Sequence, residues 1–165
     1  MAQIEIETGK RDDAFAVRKA VFVDEQGYEN EYDALDDDSG CIHVTLYADG
    51  VLAACARTFA RATECALVEN PHMPPACAFD ESATDETTYI LGRVAVLPAF
   101  RRQGLASAIV AAAEDAARAA GARVMKLHAQ EYVRGLYAKL GYAQISEVDY
   151  EDEGQPHLWI AKALS

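Results

Sequence analysis

The stretch from Tyr89 to Ser107 constrains this chain most. Tyr89-Ile90-Leu91-Gly92-Arg93-Val94-Ala95-Val96-Leu97 is largely apolar and β-branched, the pattern of a strand covered on both faces. Pro98 ends it, because proline cannot donate to a ladder. After a polar turn, Gly104 to Ala120 is Ala-rich. Leu105, Ile109, Val110, Ala113 and Ala117 recur there at helical spacing, and Gly121 follows as a C′ stop. A buried strand feeding a long amphipathic helix calls for a layered α/β architecture. The first amides of such a helix lack intrahelical partners and carry roughly half a positive charge, which suits a diphosphate. Gly104 would let a phosphate approach the backbone, and the small Ala106 keeps that approach clear.

The remaining chain supplies the other layers. Ile4 and Ile6 alternate with polar residues as a short strand, and Asp12 or Asp13 is placed to cap a helix carrying Phe15, Val17, Val21 and Phe22. Glu25 to Asp38 is acidic and loop-rich, with room for a short helix. Ile42 to Tyr47 and Val51 to Phe59 read as a hairpin around Asp49-Gly50. In the stretch about 61–87, Asn70-Pro71-His72-Met73-Pro74-Pro75 excludes regular structure and Asp80-Glu81-Ser82 reads as an exposed loop. This stretch is treated as a variable insertion. Arg123 to His128 is a further strand. Tyr132, Val133, Leu136, Tyr137 and Leu140 share one face of a helix that Gly141 ends, and Tyr142 to Val148 with His157 to Ala161 read as a closing antiparallel pair. The expectation is one domain over residues 1–165 with a mixed α/β sheet.

Charge narrows the partners. With 15 Lys+Arg against 27 Asp+Glu, the formal net charge of -12 disfavours nucleic acid and anionic membranes and suits a cationic acceptor such as an amine. Met1 to Asp13 has no apolar h-region, and no run approaches the roughly 18 apolar residues of a membrane helix. Cys41, Cys55, Cys65 and Cys77 form no C-x-x-C pair and have no histidine partners at zinc spacing, so reduced thiols in a cytoplasmic protein without a metal are expected.

The turn Arg101-Arg102-Gln103-Gly104-Leu105-Ala106-Ser107 resembles the acetyl-CoA signature of GNAT (Gcn5-related N-acetyltransferase) proteins, [Gln/Arg]-x-x-Gly-x-[Gly/Ala], with Arg101, Gly104 and Ala106 at its fixed positions. Leu136-Tyr137-Ala138-Lys139-Leu140-Gly141-Tyr142 resembles that family's Tyr-x-Lys-Leu-Gly-Phe block, and Gln130 stands where the family often has Asn. Val21-Phe22-Val23-Asp24-Glu25-Gln26, Asp36-Asp37-Asp38, His43, Arg57, Gly92-Arg93 and Pro156-His157 resemble the ElaA-like and YjcF-like branch. The resemblance implies a mixed, mostly antiparallel sheet with a splayed central strand flanked by helices. It implies acetyl-CoA as donor, held by the backbone of Val94 and Val96, by residues Arg101 to Ser107 and by Gln130, with Tyr137 against the CoA sulfur. It also leaves a homodimer open. The insertion and Tyr142 and Trp159, in place of the usual Phe and Met, depart from the branch pattern.

For an acceptor amine, Glu25, His43, His128 and His157 are the candidate bases; Glu25 and His157 match branch positions and are taken with Tyr137 as the catalytic set. The alternative for the charged residues is a structural network in which Arg57 and Arg93 pair with Asp36 to Asp38. The reading is an N-acetyltransferase acting by direct transfer on a small or aminoacyl amine. A non-catalytic acyl-CoA binder of the same fold is the alternative. A nucleotide-phosphate binder is a third, though no Walker or G-x-G-x-x-G pattern supports it.

Overall fold

The computed structural model describes residues 2–152 and 154–164; of the expected 1–165 domain, Met1, Glu153 and Ser165 lie outside the described residues. Its strands are β1 (Ile4–Thr8), β2 (Ile42–Ala48), β3 (Val51–Ala60), β4 (Thr88–Val96), β5 (Val124–Gln130), β6 (Ala143–Gln144), β7 (Asp149–Asp152) and β8 (Gln155–Ala163). They form one sheet in the order β1-β2-β3-β4-β5-β8-β6, with β7 also on β8. Every pairing is antiparallel except β4–β5. The hairpin turn falls at Asp49-Gly50, both at positive φ as its geometry demands.

Residue alternation along the central strands sorts the core into two faces. Leu91 of β4 and Leu127 and Ala129 of β5 join Ile109, Val110, Ala113 and Ala117 of α3 (Leu105–Ala119) on one face. On the other, Ala95 packs with Val17, Val21 and Phe22, and Ile90 with Leu35, Phe59 and Trp159. The second face is covered by α1 (Arg11–Arg18) and its seven-residue π-helical continuation, Lys19–Glu25. Glu114 of α3, buried among apolar neighbours, is satisfied by the Tyr142 hydroxyl at 2.8 Å and by Lys162 at 3.0 Å.

β4 and β5 pair only at Thr88↔Val124, Tyr89↔Met125 and Ile90↔Lys126, and then diverge. On its other edge β4 bulges against β3: Arg57 faces Gly92 while Cys55 faces Ala95. Arg93 sits in the bulge at φ +53°, a left-handed conformation costly to a residue with a Cβ. A buried ion cluster holds it there. Arg18 donates to Glu31 at 2.7 Å and to both Asp36 oxygens at 2.7 and 2.9 Å; Arg57 donates to Asp36 at 2.8 Å and to Asp33 at 2.7 and 2.8 Å; Arg93 donates to the Glu31 carbonyl at 3.1 Å. Burial alone would push the Asp36 carboxyl up, but Arg18 and Arg57 outweigh it and hold the group well below the usual carboxylate range.

Several expectations are corrected. Asp36 does pair with Arg57, but Asp37 bonds Arg11 and Asp38 accepts from the Gly40 amide, while Arg18 and Glu31 complete the cluster instead. Lys10, not Asp12 or Asp13, occupies the α1 N-cap; the two acids sit in its first turn, where they favour the helix dipole. The 61–87 stretch contains a helix, α2 (Arg61–Leu67), and Asp80 is not in a loop but in a short 3₁₀ turn, paired with buried Lys126 at 2.9 Å. The helix expected from Tyr132 is confined to α4 (Arg134–Lys139), after a 3₁₀ turn that leaves Tyr132 75 % exposed. Tyr142 to Val148 contributes only two strand residues, and the acidic β7 takes up part of the β8 pairing.

Arg57→Ala takes one of two countercharges from buried Asp36, and from exposed Asp33 its nearest cation. It should destabilise by about 3–5 kcal/mol, read as a lowered urea midpoint with an unchanged slope.

Candidate active site

The divergence of β4 and β5 opens a cleft of about 950 Å³. Its floor is β4 from Gly92 to Val96 and β5 from Leu127 to Gln130, and its walls are the π-helical turn, the start of α3, α4 and the β7–β8 hairpin. Because strand residues alternate, the cleft has two chemically distinct sides.

On the α3 side lies the glycine turn. Gly104 is the N-cap of α3 at φ +76°, and open space surrounds the position a Cβ would take. The amides of Leu105, Ala106 and Ser107 start the helix, and these residues line the cleft with Arg101, Arg102 and Gly104. Gln103 is exposed and does not line it. Arg101 is held from three directions: its Nε donates to the Val96 carbonyl at 3.0 Å, and its two terminal nitrogens donate to Glu25 at 2.8 and 2.6 Å. Tyr137 of α4 is 4 % exposed, lines the same side and meets Tyr142 edge-on at 5.6 Å. Burial raises its hydroxyl above the ordinary tyrosine value.

On the opposite side, β5 and β8 bring together Gln130↔His157 and His128↔Trp159. The Nδ1–H of His157 donates to the Gln155 carbonyl at 2.9 Å, so its Nε2, 3.8 Å from Asp152, is the lone-pair nitrogen of the neutral ring. His128 places Nε2 at 3.0 Å from both oxygens of Asp149. Gln130 reaches across the opening, donating to Gln26 at 3.1 Å and to the Tyr28 hydroxyl at 2.9 Å. The 61–87 stretch packs beside this side without lining the cleft: Lys126 donates to the Pro75 carbonyl at 2.8 Å, and His72 contacts Glu151 at 3.1 Å.

The expected catalytic residues Tyr137, Glu25 and His157 thus share one cleft, but Glu25 is committed to Arg101, whose hydrogen bond holds its carboxyl below the ordinary value. His43 lies away from the cleft, its Nε2–H donating to the Asp36 carbonyl at 3.0 Å. Asp36, Cys41 and His43 group their ligand atoms within 4.8 Å. The Asp36 oxygens are taken by Arg18 and Arg57, whose charges oppose a cation, and the Cys41 thiol is pushed up to about 11 by burial. Asp149 and Asp152 were missed by sequence reasoning; the alternation of acidic and aromatic residues in Asp149-Tyr150-Glu151 was the available strand signal.

A sheet splayed beside a glycine turn at a helix start is the site architecture of an acyl-transferring fold. The acetyltransferase (GNAT) family profile matches residues 10–142, and the chain belongs to that family and is an acetyltransferase of GNAT type. It is 32 % identical over 152 residues to the uncharacterized N-acetyltransferase YjcF of Bacillus subtilis (strain 168), covering 91 % of this chain and 90 % of YjcF. Among solved structures, Escherichia coli ElaA has a TM-score of 0.70 at 21 % identity, covering 97 % of this chain and 99 % of ElaA. An acyl-CoA N-acyltransferase from Pseudomonas aeruginosa has a TM-score of 0.74 at 22 % identity, covering 98 % of this chain and 100 % of that one. These two likenesses show the shared fold.

Gly104→Glu adds a bulky anion at a left-handed position where the helix amides face the cleft. Calorimetry should show loss of acetyl-CoA binding, beside a stability cost of about 1–2 kcal/mol for the strained φ.

Proposed function

We propose that this protein transfers the acetyl group of acetyl-CoA directly to a primary amine. The diphosphate would rest on the amides of Leu105, Ala106 and Ser107 with Arg101 and Arg102 at hand, and the pantetheine would add as a strand to the open edge of β4 beside Val94 and Val96. The acceptor would enter from the histidine side. The observation that carries this reading is the two-sided cleft, with Tyr137 on one side of the strand divergence and His157 on the other.

An alkylamine with a pKa of about 10.4 is short of its neutral form at pH 7 by roughly 4.6 kcal/mol, so a proton acceptor belongs on the acceptor side. The Nε2 of His157 is that group. Glu25, locked to Arg101, positions the turn rather than acting as a base. A thiol with a pKa of about 8.5 is a stronger acid than tyrosine at about 10, and burial weakens Tyr137 further. Tyr137 therefore works as a hydrogen-bond donor to charge developing on sulfur, with proton transfer late. Asp152 at the acceptor end fits a cationic amine. Among the described residues no helix is long and apolar enough to cross a membrane, which agrees with a cytoplasmic enzyme. One domain, with 61–87 as a variable acceptor-side insertion, completes the proposal.

Titration calorimetry with acetyl-CoA, against ATP and NAD, tests the donor; mass spectrometry of glycinamide, n-butylamine, spermidine and an unblocked tripeptide tests the acceptor. Tight ATP or NAD binding without acetyl-CoA binding would refute the reading. Binding without turnover would favour a non-catalytic sensor. Tyr137→Phe should lower kcat about 10- to 100-fold while acetyl-CoA affinity stays nearly constant, as expected for a donor used mainly in the transition state.

A further inference from the structure

We propose that His128, aimed by Asp149, is a second proton-accepting residue of the acceptor side. The proposal rests on the amine reading above. Acetylating an ammonium removes two protons from its nitrogen, one before attack and one from the cationic adduct. One is matched by the proton that the coenzyme sulfur gains, and the other leaves to solvent. A single neutral imidazole takes one proton at a time, so a second acceptor on the same side completes the sequence.

The geometry of His128 suits it. A carboxylate accepts only, so the contacts of 3.0 Å from Nε2 to both Asp149 oxygens fix Nε2 as the N–H and leave the lone pair on Nδ1. Burial pushes the Asp149 carboxyl up, but the bonds from His128 and the Glu151 amide outweigh it and keep the group ionised. The ring is clamped between His157 and Trp159, each with its centroid at 4.9 Å, with His72 at 5.9 Å. His128 lines the cleft and its side chain keeps 11 % exposure, which gives its proton an exit. The charged and titratable groups around the ring are Asp149, Glu151, Asp152, His72 and His157.

The steps balance. One N–H bond of the ammonium breaks as an Nε2–H bond forms on His157, and the freed lone pair makes the C–N bond. The adduct nitrogen then gives its second proton to Nδ1 of His128. The C–S bond breaks with its electron pair on sulfur, which takes a proton from Tyr137. Solvent restores Tyr137 and receives the protons of both histidines, for a net release of one. Asp149 touches no reacting atom and is a positioning residue.

The test uses the full chain with acetyl-CoA and whichever amine of the four-member panel the wild type acetylates. His128→Ala should lower kcat about 100-fold, with acetyl-CoA affinity within about 2-fold of wild type, and added imidazole should restore at least about 10-fold. Asp149→Asn should lower kcat about 10-fold without altering the KM for acetyl-CoA. Nitrogen NMR should find His128 as the Nε2–H tautomer in the wild type and a mixture in Asp149→Asn. Activity of His128→Ala within about 3-fold of wild type, or a loss that imidazole does not relieve, overturns the proposal. So does an Nδ1–H tautomer in the wild type, whatever the acceptor. A wild type that acetylates no amine overturns the parent reading, and the role of His128 with it.

Discussion

β4 and β5 stay paired only from Thr88 to Ile90 before they part, and a parallel pair that opens this early leaves backbone donors and acceptors on its facing edges without a ladder partner. Such groups must be met by water or by a ligand that can act as a strand. The opening is enforced from both sides. On the β3 side, the bulge at Arg93 turns β4 away, and the carboxylates of buried Glu31 and exposed Asp33 hold the strained residue in place. On the β8 side, continuous antiparallel pairing from Val124 to Gln130 keeps β5 straight and stops it from following β4.

This arrangement gives each face of the sheet its own chemistry. Leu127 and Ala129 turn toward α3 and the glycine turn, while Lys126, His128 and Gln130 turn toward α1, the acidic segment and the 61–87 stretch. Tyr137 lines the gap from one side, and His128 and His157 line it from the other. Two exposed hydrogen bonds from Arg101 to Glu25 join the two sides at the rim; in water they contribute little stability, so they guide geometry more than they hold the fold.

How much of this was legible depends on range. The glycine turn, α3 and the hairpin at Asp49-Gly50 rest on local signals: a strand period that becomes a helix period, a proline stop and two residues that accept positive φ. Long-range partners were harder to read. Arg18 looks like a surface residue of α1, and only the fold brings Glu31 and Asp36 to it and buries it at 1 % exposure. Tyr132 fits the helical spacing of its neighbours, yet the 3₁₀ turn at Glu131–Val133 changes the phase and turns it outward. β7 is short and acidic, which hides both a strand and the carboxylate that meets His128. α2 was hidden by the prolines that follow it, although Arg61-Ala-Thr-Glu-Cys-Ala-Leu67 has reasonable helix propensity.

The placement of β8 bears on how the chain acquires its shape. It follows every other described strand in sequence, yet lies between β5 and β6 and brings Leu158 and Ile160 to the core. As the polypeptide emerges from a ribosome, β1 to β4 can pair in chain order, each with the strand before it, but β5 must wait with an open edge until residues 155–163 arrive. The half-made protein is thus a template for unwanted strand pairing. Since β8 also carries His157 and Trp159, the closing of that edge and the assembly of the histidine side of the cleft are one event.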